Sequence, residues 1–290
     1  MTDTGRVWLV TGASSGFGRG LAEAALRNNE NVVAASSCRT PADLDGLAAA
    51  NPERLLVVKC DVTKADDVVA VFARGIERFG RVDVVFNNAG LVMVSEIEGT
   101  RESQHAAREL FEVNFWGVLA VSREAVRVFR DLNPAGAGGR LLNVSSGFGF
   151  VGMPVVGMYC ASKFAVEGFT ESLRQELDPA WNIKVSIIAP GAFNTGLHTD
   201  RTPQFPVPPA YSGAGVPSQA VRDAFRTGSF VHGIADRAVE AMFKFSKLES
   251  PPARWAVGKD SIQGTRAKIE QVSKEVDAFE SWSDNLQLPH

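Results

Sequence analysis

Tyr159 and Lys163 stand four residues apart in Tyr159-Cys160-Ala161-Ser162-Lys163. On a helix, positions i and i+4 share a face, so a phenol and an ammonium group can point into one pocket. A phenol titrates near pH 10, about three units too high to exchange protons readily at neutral pH. A neighbouring cation favours the phenolate, which would make Tyr159 a usable general acid or base. On these two residues alone, a packed tyrosine beside a snorkelling lysine is the stronger reading.

A second chemical feature opens the chain. The apolar run Arg6–Val10 leads into Thr11-Gly12-Ala13-Ser14-Ser15-Gly16-Phe17-Gly18 and then a good helix former, Arg19–Leu26. Strand, glycine turn and helix present bare N–H groups and a helix N-terminus to a pyrophosphate. Gly12, Gly16 and Gly18 would let the backbone approach such a ligand closely, with Ser14, Ser15 and Phe17 beside it. The gaps of three residues and then one differ from the common G-x-G-x-x-G pattern.

These groups need a scaffold. Seven nearly continuous apolar runs read as strands: Arg6–Val10, Asn31–Ala35, Arg54–Lys59, Val82–Phe86, Arg140–Val144, Lys184–Ala189 and Arg254–Val257. Strands of that kind are covered on both faces. Helical segments fall between or after them, at Gly18–Asn28, Asp43–Ala50, Ala65–Phe79, Glu102–Leu132, Met158–Leu177, Ala235–Ser246 and Ile262–Phe279. The alternation predicts an α/β fold with a doubly wound parallel sheet. Ligands of such sheets lie beyond the carboxyl ends of strands, where the candidate residues fall.

In order along the chain come Thr11-Gly-x-x-x-Gly-x-Gly18, Asn87-Asn88-Ala89-Gly90, Asn114, Asn143-Val144-Ser145-Ser146, Tyr159-x-x-x-Lys163 and Pro190-Gly191. Together they resemble the successive motifs of the short-chain dehydrogenase/reductase family, in its compact branch, from about Arg6 to Gly258. The resemblance implies a single-domain Rossmann fold spanning 1–290 and an NAD(P)-dependent oxidoreductase. It implies a catalytic set of Asn114, Ser146, Tyr159 and Lys163. Tyr159 would exchange the proton, Ser146 would hold the substrate oxygen, and Lys163 would lower the phenol pKa and hold ribose hydroxyls. Asn114 would hold a water that relays protons to Lys163.

The same resemblance places Asp61 and Val62 at the adenine ring, although Asp61 or Thr63 could instead cap the following helix. Asn88, Ala89 and Gly90 would face the ribose. Pro190, Gly191, Phe193 and Thr195 would hold the carboxamide end of the nicotinamide. At the end of the second strand no acid appears before Asp43, while Ser36, Ser37 and Arg39 offer hydroxyls and a guanidinium to a 2′-phosphate. NADP(H) is therefore the expected cofactor, with NAD(H) possible.

The charge-free strip between Ser146 and Tyr159 contains Phe148, Phe150, Val151, Met153, Val155, Val156 and Met158. It predicts an apolar ketone, aldehyde or secondary alcohol as substrate. Residues 197–218 hold five prolines, which break a long regular helix. They are expected to form a substrate lid, with His198, Phe205 and Tyr211 facing the pocket. Residues 259–290 read as a C-terminal helical extension that closes the domain or touches another subunit.

The 290 residues are 45% hydrophobic with a net charge of −3, an ordinary globular balance. No basic run points to nucleic acid, no apolar span reaches membrane length, and the start lacks a signal region. Three cysteines at no metal-ligand spacing fit reduced thiols and a cytoplasmic location. No metal site is expected. Family analogy adds a homodimer or homotetramer. Two other classes remain: an NADPH-binding sensor, and a lyase or epimerase on the same fold.

Overall fold

The computed structural model describes residues 5–36, 43–196, 202–213, 215–284, 286 and 288. Ser37, Arg39 and His198 lie outside the described residues. The seven expected strands all form: β1 (Val7–Thr11), β2 (Asn31–Ser36), β3 (Leu55–Lys59), β4 (Val84–Asn87), β5 (Gly139–Val144), β6 (Ile183–Pro190) and β7 (Arg254–Val257). They pair in parallel as one sheet in the order β3-β2-β1-β4-β5-β6-β7. The connection direction reverses between β1 and β4, the switch point where doubly wound sheets bind ligands.

Strand side chains alternate between faces. Trp8, Val10 and Phe86 turn to one core, completed by α1 (Gly16–Arg27) and, later in the chain, by Val239, Met242 and Phe243. Val7, Leu9 and Val85 turn to the other with Phe72, Val121 and Phe129. Phe72 lies on α3 (Ala65–Phe79), which follows α2 (Asp45–Ala50). With both faces covered, every strand needs the unbroken apolar runs seen in the sequence.

The expected helix Glu102–Leu132 is more articulated. After a tight turn at Glu98–Arg101 come α4 (Gln104–Phe111), a wide π-type turn at Glu112–Gly117, α5 (Val118–Arg127) and a second wide turn at Val128–Leu132. Wide turns of this kind are often found at functional sites, and the first contains Asn114. Next come α6 (Gly157–Glu176), α7 (Pro217–Thr227), α8 (Ala235–Phe245) and α9 (Lys259–Phe279). Helix α7 was not expected, because Pro217 reads as a breaker. It occupies the first helical turn, where its fixed φ is already suitable and no N–H is missed.

The described part of the proline-rich segment is strapped down. Val94 N donates to Pro203 O (2.9 Å), and Phe205 N donates to Val94 O (3.0 Å). Arg222 on α7 forms a buried bidentate ion pair with Glu96 at 2.8 and 2.5 Å and donates to Phe205 O at 2.9 Å. No described helix is long and apolar enough to cross a membrane.

Candidate active site

Beyond the carboxyl ends of the strands opens a cleft of about 1810 Å³, larger than the roughly 300–1,000 Å³ of a single small-ligand pocket. Its floor begins at the turn after β1. Gly12 (φ +65°) and Gly16 (φ +54°) adopt the left-handed backbone that favours glycine. A Cβ on Gly12 would stand 3.0 Å from Asn88 Nδ2, and one on Gly16 would stand 3.0 Å from Thr195 O. The turn thus exposes backbone at the N-terminus of α1, where N–H groups and the helix dipole attract anions. Ser14, Ser15 and Phe17 line the same stretch. Gly18 does not: it packs against Gly12 O and the Asn88 amide, so its lack of a side chain serves helix-to-turn contact.

Thr11, not singled out as a site residue from the sequence, ties this turn to the next one. Its Oγ1 accepts from Asn88 N (2.9 Å) and Ala89 N (3.0 Å), while Asn88 Nδ2 donates to Thr11 O (3.0 Å). Behind them, Asn87 Nδ2 donates to Asn143 Oδ1 (3.0 Å), and Asn143 Nδ2 donates to Thr170 Oγ1 (3.0 Å). This buried chain fixes β4, β5 and α6 in one register beneath the cleft.

Asp61 and Val62 line the cleft. Asp61 Oδ1 accepts from Thr63 N (3.1 Å) and Thr63 Oγ1 (2.8 Å), an Asx turn. The residue that caps α3 is Lys64, without a side-chain cap, so neither Asp61 nor Thr63 is the N-cap. Ser36 is buried at the end of β2 and does not line the cleft; Asp43, the first acid after that strand, does.

At the other end lie Ser146, Tyr159 and Lys163, each buried but lining the cleft. Ser146 Oγ accepts from Phe148 N (3.2 Å) as the cap of a short turn, on the same stretch of the cleft as Tyr159. Lys163 Nζ donates to Val144 O (2.9 Å) and stands 5.8 Å from the Tyr159 ring centroid. Burial pushes the Tyr159 phenol up to about 12, against the pull of Ser146. The expected lowering by Lys163 is therefore not seen. Desolvation sets the shift, and the Lys163 Nζ is directed to the Val144 carbonyl. Burial also brings Lys163 down to about 8, with Glu167 one turn on acting in the opposite direction.

Asn114 is buried close by without reaching the cleft surface. Its Oδ1 accepts from Leu91 N (2.7 Å), and its Nδ2 donates to Leu91 O (2.8 Å) and Ser162 Oγ (3.1 Å). The amide clamps the β4 turn to α6, which commits both ends of the side chain expected to hold a water. A Cβ on Gly90 would lie 3.3 Å from Asn114 Oδ1 and 3.5 Å from Lys163 Nζ. A side chain at Gly90 would narrow the space beside Asn114 and Lys163.

The apolar strip divides. Phe148, Val151 and Met153 line the cleft. Phe150 lies beneath the Arg254 guanidinium at 5.1 Å, and Val155 and Val156 are core. Val155 has φ +61°, costly for a β-branched residue. It is held there by the bond from Ser95 N to its carbonyl (2.7 Å). Phe205 packs into the same core, and Tyr211 interacts with Glu98, so neither lines the cleft as expected. Cys160 is a buried, packed thiol.

Pro190, Gly191, Phe193 and Thr195 close the wall after β6. Phe193 meets Phe17 edge to face at 5.4 Å. Two further residues hold this wall: Asp260 Oδ2 accepts from Ala192 N (2.7 Å), and Ser261 Oγ donates to Ala189 O (2.8 Å). Ser145 Oγ donates to Glu167 Oε1 (2.8 Å), and Arg254 Nε donates to Glu167 Oε2 (2.9 Å), a buried network directly behind Ser146. Contacts that span tens of residues in sequence leave no local signal.

Residues 6–205 match the family model described as short chain dehydrogenase. An uncharacterized oxidoreductase of Schizosaccharomyces pombe is 34% identical over 96% of this chain and 90% of its own length. A 3-ketodihydrosphingosine reductase of Bacteroides thetaiotaomicron is 35% identical over 68% of this chain and 67% of its own. The crystal structure of a short-chain dehydrogenase from Streptomyces avermitilis superposes with a TM-score of 0.85 at 33% identity, covering 98% of this chain and all of that one. With the parallel sheet and the glycine turn in place, this chain belongs to the short-chain dehydrogenase/reductase family, NAD(P)-dependent oxidoreductases acting on CH–OH or C=O groups.

Proposed function

We propose that the protein is an NADPH-dependent carbonyl reductase, or alcohol dehydrogenase in the reverse direction, acting on an apolar ketone, aldehyde or secondary alcohol. The observation that carries this reading is the convergence of Ser146, Tyr159 and Lys163 on one cleft walled by Phe148, Val151 and Met153. The cleft suits a dinucleotide. Gly12 and Gly16 expose backbone at the α1 N-terminus, Gly90 leaves space beside Lys163, and the volume leaves room for a second molecule. When bound, the nicotinamide supplies or accepts the hydride.

The remaining roles fall to this chain's own residues. Gly12, Ser14, Ser15, Gly16 and Phe17 would hold the pyrophosphate, with Gly18 setting the turn. Asp61, Val62, Asn88, Ala89 and Gly90 would face adenine and ribose, and Pro190, Gly191, Phe193 and Thr195 the carboxamide. Ser146 Oγ would hold the substrate oxygen. Tyr159 Oη would donate to it; a phenol pushed up to about 12 stays protonated at neutral pH, which suits reduction. Lys163 would hold ribose hydroxyls from its cationic form. Asn114 would act by fixing the Leu91 turn. The NADPH preference rests on Ser37 and Arg39 and on the absence of an acid before Asp43.

The name of the Bacteroides relative, a reductase of a keto group on a long-chain base, agrees with an apolar substrate. The exposed Trp116 and Phe164, on the segments around α5 and α6, agree with a homo-oligomer. A cytoplasmic location completes the reading.

The test is oxidation of NADPH and of NADH, followed by nicotinamide absorbance, with a panel of apolar ketones and aldehydes. Faster turnover with NADPH on bulky apolar carbonyls is expected; a preference for NADH, or for sugars and small acids, would overturn that part. The pH profile is a second check. Below about pH 8 Lys163 carries its charge, and above it the charge is lost, while Tyr159 remains protonated. The kcat/KM for the reduced dinucleotide, which reports the free enzyme, should therefore fall as pH rises through about 8. A flat profile up to about pH 10, where an ordinary lysine begins to titrate, would remove Lys163 from the ribose.

A further inference from the structure

Among the described residues, helix α9 is anchored to the domain through its first turns. Asp260 and Ser261 bond the β6 wall, and Thr265 accepts from Arg254 at 3.3 Å. From Ile269 to Asp284 every residue is exposed. Yet this free stretch is not polar all round. Ile269 is 56% exposed, Val272 40%, Val276 60% and Phe279 56%, and Ile262 at the base 37%. With Thr265 they fall at positions 262, 265, 269, 272, 276 and 279, alternating three and four apart. That is the a/d spacing of a two-helix seam, sustained over nearly three heptads.

We infer that α9 pairs antiparallel with α9 of a second copy of this chain about a twofold axis. The register follows from the sequence. Placing Ile269 against Val272 of the second copy also sets Thr265 against Val276 and Ile262 against Phe279, so each layer but the threonine one is wholly apolar and none is left over. The flanking charges then complement each other: Lys268 comes beside Glu275, and Lys259 beside Glu280. A parallel pairing instead juxtaposes Glu275 and Glu280, a like-charge contact. Isologous contact of this kind is self-complementary and closed, so it yields a discrete dimer contact. A lipid surface fits less well, because residues 259–284 carry four basic against six acidic side chains, whereas helices that lie on membranes are rich in Lys and Arg.

The test uses the full chain. In sedimentation velocity, Lys268→Glu and Glu275→Lys should each weaken self-association at this contact roughly fivefold, and the double exchange should restore it. Register is read by oxidation of cysteine variants. Ile262→Cys with Phe279→Cys should close a covalent dimer, because each cysteine meets the other kind across the axis. Neither single variant should, since like residues lie about 25 Å apart at 1.5 Å per residue, beyond disulfide reach. Wild type controls for the native thiols. Cross-linking by Ile262→Cys alone would show a parallel pair and overturn the proposal. So would the absence of any cross-link in the double variant, charge variants whose association matches wild type, or α9-dependent binding to anionic vesicles by a chain that does not self-associate. Because the readouts are association and cross-linking, the outcome is independent of the catalytic reading.

Discussion

Replacing Tyr159 with Phe lowers kcat for carbonyl reduction about 10²- to 10⁴-fold, the range a positioned general acid contributes, and leaves cofactor affinity and fold intact. The substitution removes one oxygen from a buried ring whose packing is set by its apolar neighbours on the loop before α6 and after β4. The phenol carries a dissociable proton at the Ser146 end of the cleft, beside Lys163, and burial keeps that proton in place to about pH 12. Ser146 keeps its bond from Phe148 N in the variant, so the oxygen-binding hydroxyl stays in position. Steady-state rates beside titration with NADPH separate the two effects. A variant that binds NADPH as wild type does and still reduces carbonyls within threefold of the wild-type rate would assign the proton to another group.

Arg222→Ala should cost about 3–5 kcal/mol, the usual penalty for stranding one partner of a buried ion pair. Glu96 is almost fully buried, and both its oxygens bond Arg222, which also holds Phe205 O. The loss should concentrate where the pair acts, in the strap from Val94 to Gln204 and in α7. Faster proteolysis within residues 202–227 and a lowered thermal midpoint would be the readouts, and Glu96→Gln with Arg222→Met should recover part of the loss. The side-chain hydrogen bond from Arg222 holds the Glu96 carboxyl below its ordinary value of 4.5. Stability from the pair is thus fully present above about pH 4.5 and lost as pH falls through the depressed value. A variant as stable as wild type would show that the pair merely breaks even with its desolvation.

The sheet was legible because each parallel strand must be apolar on both faces, which writes its position as an unbroken run; all seven appear where the runs predict. The glycine turn, Ser146, Tyr159 and Lys163 were legible because their backbone or spacing requirements are local. Pro217 misled for the opposite reason, since a proline ends a helix or begins one according to which side the chain continues. Phe205 and Tyr211 looked available to a ligand, but hydrophobic packing and Glu98 claimed them. The downward shift expected for the Tyr159 phenol failed because spacing on a helix says nothing of how deeply the pair is buried. Asp260, Ser261, Glu167 and Arg254 could not be read at all, because their partners are distant in sequence.

Those late contacts bear on synthesis. Vectorial folding proceeds from the N-terminus at roughly 5–20 residues per second, and strands β1 to β6 are complete by Pro190. Until residue 254 emerges, however, the Glu167 carboxylate one turn beyond Lys163 has no guanidinium, and until residue 261 emerges the wall at Ala189–Ala192 has no anchor. A nascent chain can hold most of the sheet and still lack the guanidinium that faces Glu167 behind Ser146. A polypeptide released before strand β7 and the start of α9 therefore lacks both the guanidinium at Glu167 and the anchor of the cleft wall.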